Sequence, residues 1–290
     1  MRVGYYPGCS LSGTGRDFGE SMDAVAKALD IELCEIPEWT CCGSSSGHMT
    51  DRLVSVALPT NVLLKAQKAG FDQVMAPCAA CYNRLATAKH EIETSAQTKA
   101  QVETILQTKV ANLPAVLNVV QLLAQTADTI AAKVSKKFEQ TVACYYGCLL
   151  VRPAKITGFD RTEDPMEMDK LVAAVGGKTI DWNFKTECCG ASFSLSKTSV
   201  VGRLGAKIMQ DAVAHKAEAV VVACPMCHSN LDLRRGEINQ RLEQQTNIPV
   251  LYITQVIGLA MGIPAQKLGL ARHFVPVKFP PKPIATQVVQ

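Results

Sequence analysis

Five cysteines in the first half of this chain recur, in the same order, in the second. Cys9 is followed by the adjacent pair Cys41-Cys42, then Gly43, then Cys78-Ala-Ala-Cys81; Cys148 is followed by Cys188-Cys189, then Gly190, then Cys224-Pro-Met-Cys227. The spacings agree: 32 positions from Cys9 to Cys41 against 40 from Cys148 to Cys188, and 36 from Cys42 to Cys78 against 35 from Cys189 to Cys224. A CxxC turn points two sulfurs at one site, and thiolates are favoured ligands of zinc and of iron-sulfur clusters. Zinc closes its shell with four ligands and an ordinary cubane cluster also takes four, so the fifth cysteine of each set is left over in both cases. The adjacent pairs suggest a more open cluster in which one thiolate bridges irons. Structural zinc and buried thiols are the plain alternatives.

Other residues near the motifs carry weaker signals. Cys144 aligns with Tyr5 and Cys34 has no counterpart, so both are expected to be small buried hydrophobes rather than ligands. Gly43 and Gly190 would let the backbone turn close to a bound group, or are simple turn glycines. His228 directly follows the second CxxC and is a candidate proton donor, although a surface histidine at a helix N-terminus is the plainer expectation. His48 has the same standing. Tyr5, Tyr6, Tyr145 and Tyr146 are expected to pack at strand ends. In Gly13-Thr-Gly15 the next glycine, Gly19, comes one residue too late for a dinucleotide fingerprint, which leaves a turn or a loop against the site.

The elements that must position these residues repeat as well. Val116–Gln121 and Val250–Gln255 lie at the same distance past each CxxC. Each half alternates short apolar runs with longer helical patterns, the mark of a parallel sheet with covering helices. Predicted strands are 3–6, 32–36, 73–76 and 116–119, then 141–145, 179–181, 219–223 and 250–253. Predicted helices include 16–29 and 53–69. The division expected is 1–137, 138–265 and a proline-rich tail 266–290, with a helical stretch ending in Lys136-Lys137 between the halves and an extended or partly disordered arm from Phe274 onward. Every motif then falls after a strand, at the edge of an open sheet where ligands collect.

Composition narrows the class. With 290 residues and 48% hydrophobic content the chain can bury a core without cross-links, so a disulfide framework is not needed for its twelve cysteines. The first residues lack the apolar run of a secretory signal, which predicts the reducing cytoplasm, where clustered cysteines mean metal or redox chemistry. A net charge of +4 with scattered Lys and Arg does not imply nucleic acid. The longest uncharged stretch, 110–127, holds two asparagines, a proline and two glutamines and is expected to be core, not a transmembrane segment.

Together the two complete cysteine sets and the N-terminal Tyr-Tyr-Pro-Gly-Cys9 resemble the cysteine-rich CCG domain in its tandem form, that of the B-type subunits of heterodisulfide reductases. The resemblance covers about residues 1 to 265. It implies an α/β fold of two tandem Rossmann-like domains and two noncubane [4Fe-4S] clusters facing each other across the interface. Cys9, Cys41, Cys42, Cys78 and Cys81 would hold one, and Cys148, Cys188, Cys189, Cys224 and Cys227 the other. It also implies an oxidoreductase acting on a sulfur group, cleaving or forming a small-molecule disulfide between the clusters. A disulfide needs two electrons, one from each side, so no protein nucleophile is required. The chain has no ferredoxin run and no flavin or nicotinamide fingerprint, so the family's partners are expected: a ferredoxin-like iron-sulfur subunit of the C type and a flavin subunit of the A type. The rival within the same resemblance is an electron-transfer or quinone-linked subunit of a succinate, lactate or glycolate dehydrogenase-type complex.

Overall fold

The computed structural model describes residues 1–44, 46–159 and 161–279. Eight short strands form two separate four-stranded sheets. The first holds β1 (Arg2–Tyr5), β2 (Glu32–Glu35), β3 (Gln73–Met75) and β4 (Ala115–Leu117) in the order β2-β1-β3-β4. The second repeats it with β5 (Thr141–Tyr145), β6 (Lys178–Thr179), β7 (Ala219–Val222) and β8 (Val250–Tyr252) in the order β6-β5-β7-β8. All neighbours are parallel, with Tyr5 opposite Met75 in one sheet and Cys144 opposite Val221 in the other. The chain is therefore an α/β duplication, as the repeat predicts. Continuous apolar strands such as Ala219–Val222, buried at every residue, suit sheets covered by helices on both faces.

The helices bury narrow stripes. In the Arg16–Ala28 helix Phe18, Met22, Val25 and Ala26 are buried, at the spacing that lines one helical face. This helix packs on Ile253–Ala260 of the second half, while Val119–Ala124 of the first half packs on Glu167–Ala174 of the second. The two sheets are thus locked by reciprocal exchange of the helix after the fourth strand. Phe18 stacks on Tyr252 with ring centroids 4.2 Å apart, and Ser21 Oγ lies 2.7 Å from Thr254 Oγ1 across the same seam. Burying one such ring contributes roughly 1.5–3 kcal/mol.

Three expectations need correction. Residue 119 does not end a strand: Asn118 caps a new helix, its side chain accepting from Gln121 N–H at 2.9 Å. The stretch between the halves is not helical to Lys137; its helix spans Ala127–Ala132, and Ser135 and Lys136 N–H then bond to the Ala260 carbonyl. The tail is not loose from residue 266. Leu268 is fully buried, and the Phe274 and Val275 amides donate to the Asp232 carboxylate at 2.7 and 3.0 Å. The rest of the expected arm, 280–290, lies outside the described residues.

Candidate functional site

Each cysteine motif follows a strand on the same edge of its sheet. Cys9 lies in the one-turn helix Gly8–Leu11 after β1, and Cys148 in the turn after β5. Cys41-Cys42 and Cys188-Cys189 sit in the loops after β2 and β6. Cys78 and Cys224 are the N-cap residues of Ala79–Thr94 and Pro225–Leu231, and Cys81 and Cys227 project from the first turns of those helices. No cysteine is in a disulfide.

Within each half the thiols converge. Cys42 Sγ lies 3.3 Å from Cys81 Sγ, and Cys189 Sγ lies 3.6 Å from Cys227 Sγ. Cys41 interacts with Cys9 and Cys42, Cys148 with Cys188, and each CxxC pair with itself. The backbone repeats around them. Gly43 N–H faces Cys41 Sγ at 3.4 Å and Gly190 N–H faces Cys188 Sγ at 3.3 Å, so the residue after each pair directs a donor at sulfur. Gly8 and Gly147 hold φ values of +64° and +69°, and a Cβ there would meet Cys81 or Cys227 Sγ at 3.2 or 3.1 Å. Glycine supplies both the left-handed turn and the clearance.

Sequence reasoning missed the tyrosines. Tyr6 and Tyr145 pack at strand ends as expected, but their hydroxyls donate to the carbonyls of Thr40 (2.9 Å) and Glu187 (2.6 Å), the residues immediately before the double cysteines. Their equal place in the repeat, three residues before Cys9 and Cys148, was the available signal. Asn230 was missed too; its amide donates to the Cys189 carbonyl at 3.0 Å. Its counterpart by spacing is Arg84, half-buried and within electrostatic reach of Cys42, so the two sites differ in charge.

Clustering sets the acid–base character of the thiols. The neighbouring Cys81 thiol holds Cys42 down to about 6, and Cys148 does the same for Cys188, also to about 6, while Cys81 and Cys148 are pushed up. One thiolate forms readily in each set and its neighbours keep their protons, because adjacent negative charges repel in a buried site. Cys144 is fully buried in β5, where desolvation raises its pKa, and Cys34 is half-buried in β2. Neither joins a cluster of thiols.

The two sites also touch. Cys224 is the strongest influence on Cys78, raising its pKa, and Cys78 in turn helps to lower that of Cys224, so the first thiols of both CxxC motifs meet across the seam. From the first half Asn83 donates to the carbonyls of Leu149 and Arg152 at 3.0 and 2.8 Å, fixing the segment that follows Cys148. The Gly13–Gly15 loop is part of this junction: a Cβ on Gly15 would lie 2.7 Å from Pro225 Cβ. With Asp17, His228 and Arg272, residues 13 and 14 line a cavity of about 470 Å³.

His228 is not a surface residue. It is buried, its Nε2 sits 3.1 Å from the Val250 carbonyl and its ring stacks on Tyr252 at 4.3 Å. Desolvation holds its pKa well below the ordinary value, so it is neutral with its ring proton committed to Val250. His48 is exposed and contacts Arg84 at 3.2 Å.

The model of the cysteine-rich domain family, CCG, matches this chain twice, over residues 3–86 and 142–232. The chain belongs to that family. Among curated relatives of this CCG protein, the 8-methylmenaquinol:fumarate reductase membrane anchor subunit of Wolinella succinogenes is 30% identical over 275 residues, covering 93% of this chain and 96% of the relative. The B-type subunit of the ferredoxin/F(420)H(2)-dependent CoB-CoM heterodisulfide reductase of Methanosarcina acetivorans is 24% identical over 282 residues, covering 94% of each chain. A solved structure of a hypothetical protein from Helicobacter pylori superposes with a TM-score of 0.76 at 13% identity over 96% of this chain. The CCG chain spans about half of that protein (52%), and the likeness is one of fold. Among the described residues no helix is long and apolar enough to cross a membrane.

Proposed function

We propose that the ten recurring cysteines hold two [4Fe-4S] clusters of the noncubane kind, and that the chain is the disulfide-reducing or thiol-oxidising subunit of a redox complex. Cys9, Cys41, Cys42, Cys78 and Cys81 would bind the first, in a unit of about residues 1–137. Cys148, Cys188, Cys189, Cys224 and Cys227 would bind the second, in a unit of about 138–265. The donor set fits: five free thiols per site, near-contact sulfur pairs, and glycines where a side chain would strike sulfur. When bound, each cluster supplies one-electron chemistry and a thiophilic metal.

The chain's own residues do the positioning. Gly43 and Gly190 N–H groups stabilise negative charge on Cys41 and Cys188, and Tyr6 and Tyr145 fix the backbone that presents each double cysteine. His228, with its proton bonded to Val250, is not aimed as an acid at a thiolate, so water is the proton source in this reading. The observation that carries the disulfide reading is the meeting of Cys78 and Cys224, since it makes two complete sites contiguous and so able to act on the two sulfurs of one bond. Relatives named as parts of larger reductases support partners, here a ferredoxin-like subunit of the C type and a flavin subunit of the A type, in the cytoplasm.

The 30% identity to the fumarate reductase anchor favours a second reading, a quinol-linked electron-transfer subunit. Paramagnetic resonance of the anaerobically purified complex separates them. The disulfide reading expects a new signal when a candidate thiol is added under oxidising conditions. A preparation that never responds to thiols but is reduced by menaquinol would establish the second reading, and one containing zinc without iron would overturn both.

A further inference from the structure

Outside the cysteine sets, one cluster of ligand-type side chains gathers at the seam. Asp17 comes from the Arg16–Ala28 helix, His228 from Pro225–Leu231 and His273 from the chain just after the last short helical turn, Leu270–Arg272. All three are buried, and one ligand atom from each lies within 4.8 Å of the others. Asp17 Oδ2 is 3.9 Å from His228 Nδ1 and 3.5 Å from His273 Nε2.

These facing atoms are all lone-pair bearers. His228 Nε2 donates to Val250, which leaves Nδ1 unprotonated toward Asp17. The Gln255 side chain accepts from Tyr252 N–H through its oxygen and turns its NH2 to Leu268 O and His273 Nε2, so that nitrogen is an acceptor too. Burial keeps both imidazoles neutral, with His273 held down to about 4. One proton on Asp17 would satisfy one imidazole and leave the other facing oxygen; a cation between the three serves all of them. His273 Nδ1 has no hydrogen-bond partner, a further sign that the cluster is incompletely satisfied.

We propose that Asp17, His228 and His273 form a binding site for one divalent transition-metal ion of the zinc class, separate from the cysteine sites. Two imidazoles and a carboxylate suit such an ion. The outer shell is built as metal histidines require: His228 bonds a backbone carbonyl through its other nitrogen and is clamped on Tyr252. Asp232 holds the Phe274 and Val275 amides and so fixes His273. The 470 Å³ cavity, lined by both Asp17 and His228, leaves room for a water as fourth ligand. Because the three ligands come from the first half, the second half and the C-terminal segment, the ion staples all three.

The test uses the full chain, purified anaerobically, with Zn²⁺ as probe. Crystals equilibrated with Zn²⁺ and measured across the zinc edge are expected to show an anomalous peak bounded by Asp17, His228 and His273, and zinc-edge absorption of the protein is expected to show nitrogen and oxygen ligands. Asp17→Asn and His273→Gln should each weaken zinc binding at least about tenfold, the loss seen for even an outer-shell partner. No peak at this position, a zinc shell made only of sulfur, or unchanged zinc binding in both variants would overturn the proposal. The wild-type map decides the matter if a variant fails to fold.

Discussion

The hydroxyl of Tyr145 donates a 2.6 Å hydrogen bond to the carbonyl of Glu187, and so holds the backbone one residue ahead of Cys188-Cys189. Tyr6 does the same for Thr40 ahead of Cys41-Cys42. Tyr145→Phe keeps the ring and strips the donor, leaving a part-buried carbonyl unpaired at a cost of about 1–3 kcal/mol. The expected outcome is a lower midpoint in denaturant together with faster loss of iron to a chelator. Equal iron retention in Tyr145→Phe and wild type would show that the bond plays no part in the site.

Gly147 permits what no other residue permits at that position. Its φ of +69° and the 3.1 Å approach of Cys227 Sγ to a would-be Cβ act together. Gly147→Ala is expected to cost roughly 1–3 kcal/mol in backbone strain and to push Cys227 from its place. Gly158, also at positive φ but with open space around it, is the control: Gly158→Ala carries the strain without the sulfur contact. Iron per chain should fall in the first variant only.

Removing cysteines should sort them into two groups. Cys42→Ser and Cys189→Ser are expected to abolish disulfide turnover and to lower iron content. Cys34→Ser, at a half-buried position outside the sites, should leave iron unchanged and shift stability by no more than about 0.5 kcal/mol. Cys144→Ser places a hydroxyl in a fully buried strand and should lose about 1–3 kcal/mol with iron intact. Full activity in Cys42→Ser or Cys189→Ser would count against the ligand assignment.

Asp169 gives a pH signature. It is buried, accepts from the Tyr146 hydroxyl at 2.7 Å and lies 3.4 Å from Lys185 Nζ, yet burial dominates and raises its pKa above the ordinary 3.8. A carboxyl raised by folding ionises first in the unfolded chain. Its contribution to stability is therefore complete below pH 3.8 and declines as pH rises through the folded value. Unfolding followed between about pH 4 and 7 should show a component of falling stability that Asp169→Asn removes. An identical slope in the variant would refute this.

Much of the architecture was written in local pattern. All eight strands appear within two residues of where apolar runs predict them, because a parallel strand covered on both faces must be apolar along its length. The repeat was legible because duplicated thiols at duplicated spacing are improbable by chance, and it implied that each set of five would meet at one sheet edge. The errors came where context decides. Val119 is β-branched and reads as strand, but the Asn118 cap and its bond with Gln121 start a helix there. His228 reads as a surface residue because polar side chains after a helix start are mostly exposed, whereas packing of the halves buries it against Tyr252.

From its sequence alone this chain was determined to be a duplicated α/β protein carrying two five-thiol sites, since composition, period and spacing act over short distances along the chain. Only the tertiary structure decided that Cys78 meets Cys224, that tyrosine hydroxyls support the double cysteines, and that Asp17, His228 and His273 converge. Those contacts join residues far apart in sequence, and they arise from how two similar surfaces exchange helices across a seam. No local pattern encodes that seam, because it depends on the complementarity of whole faces.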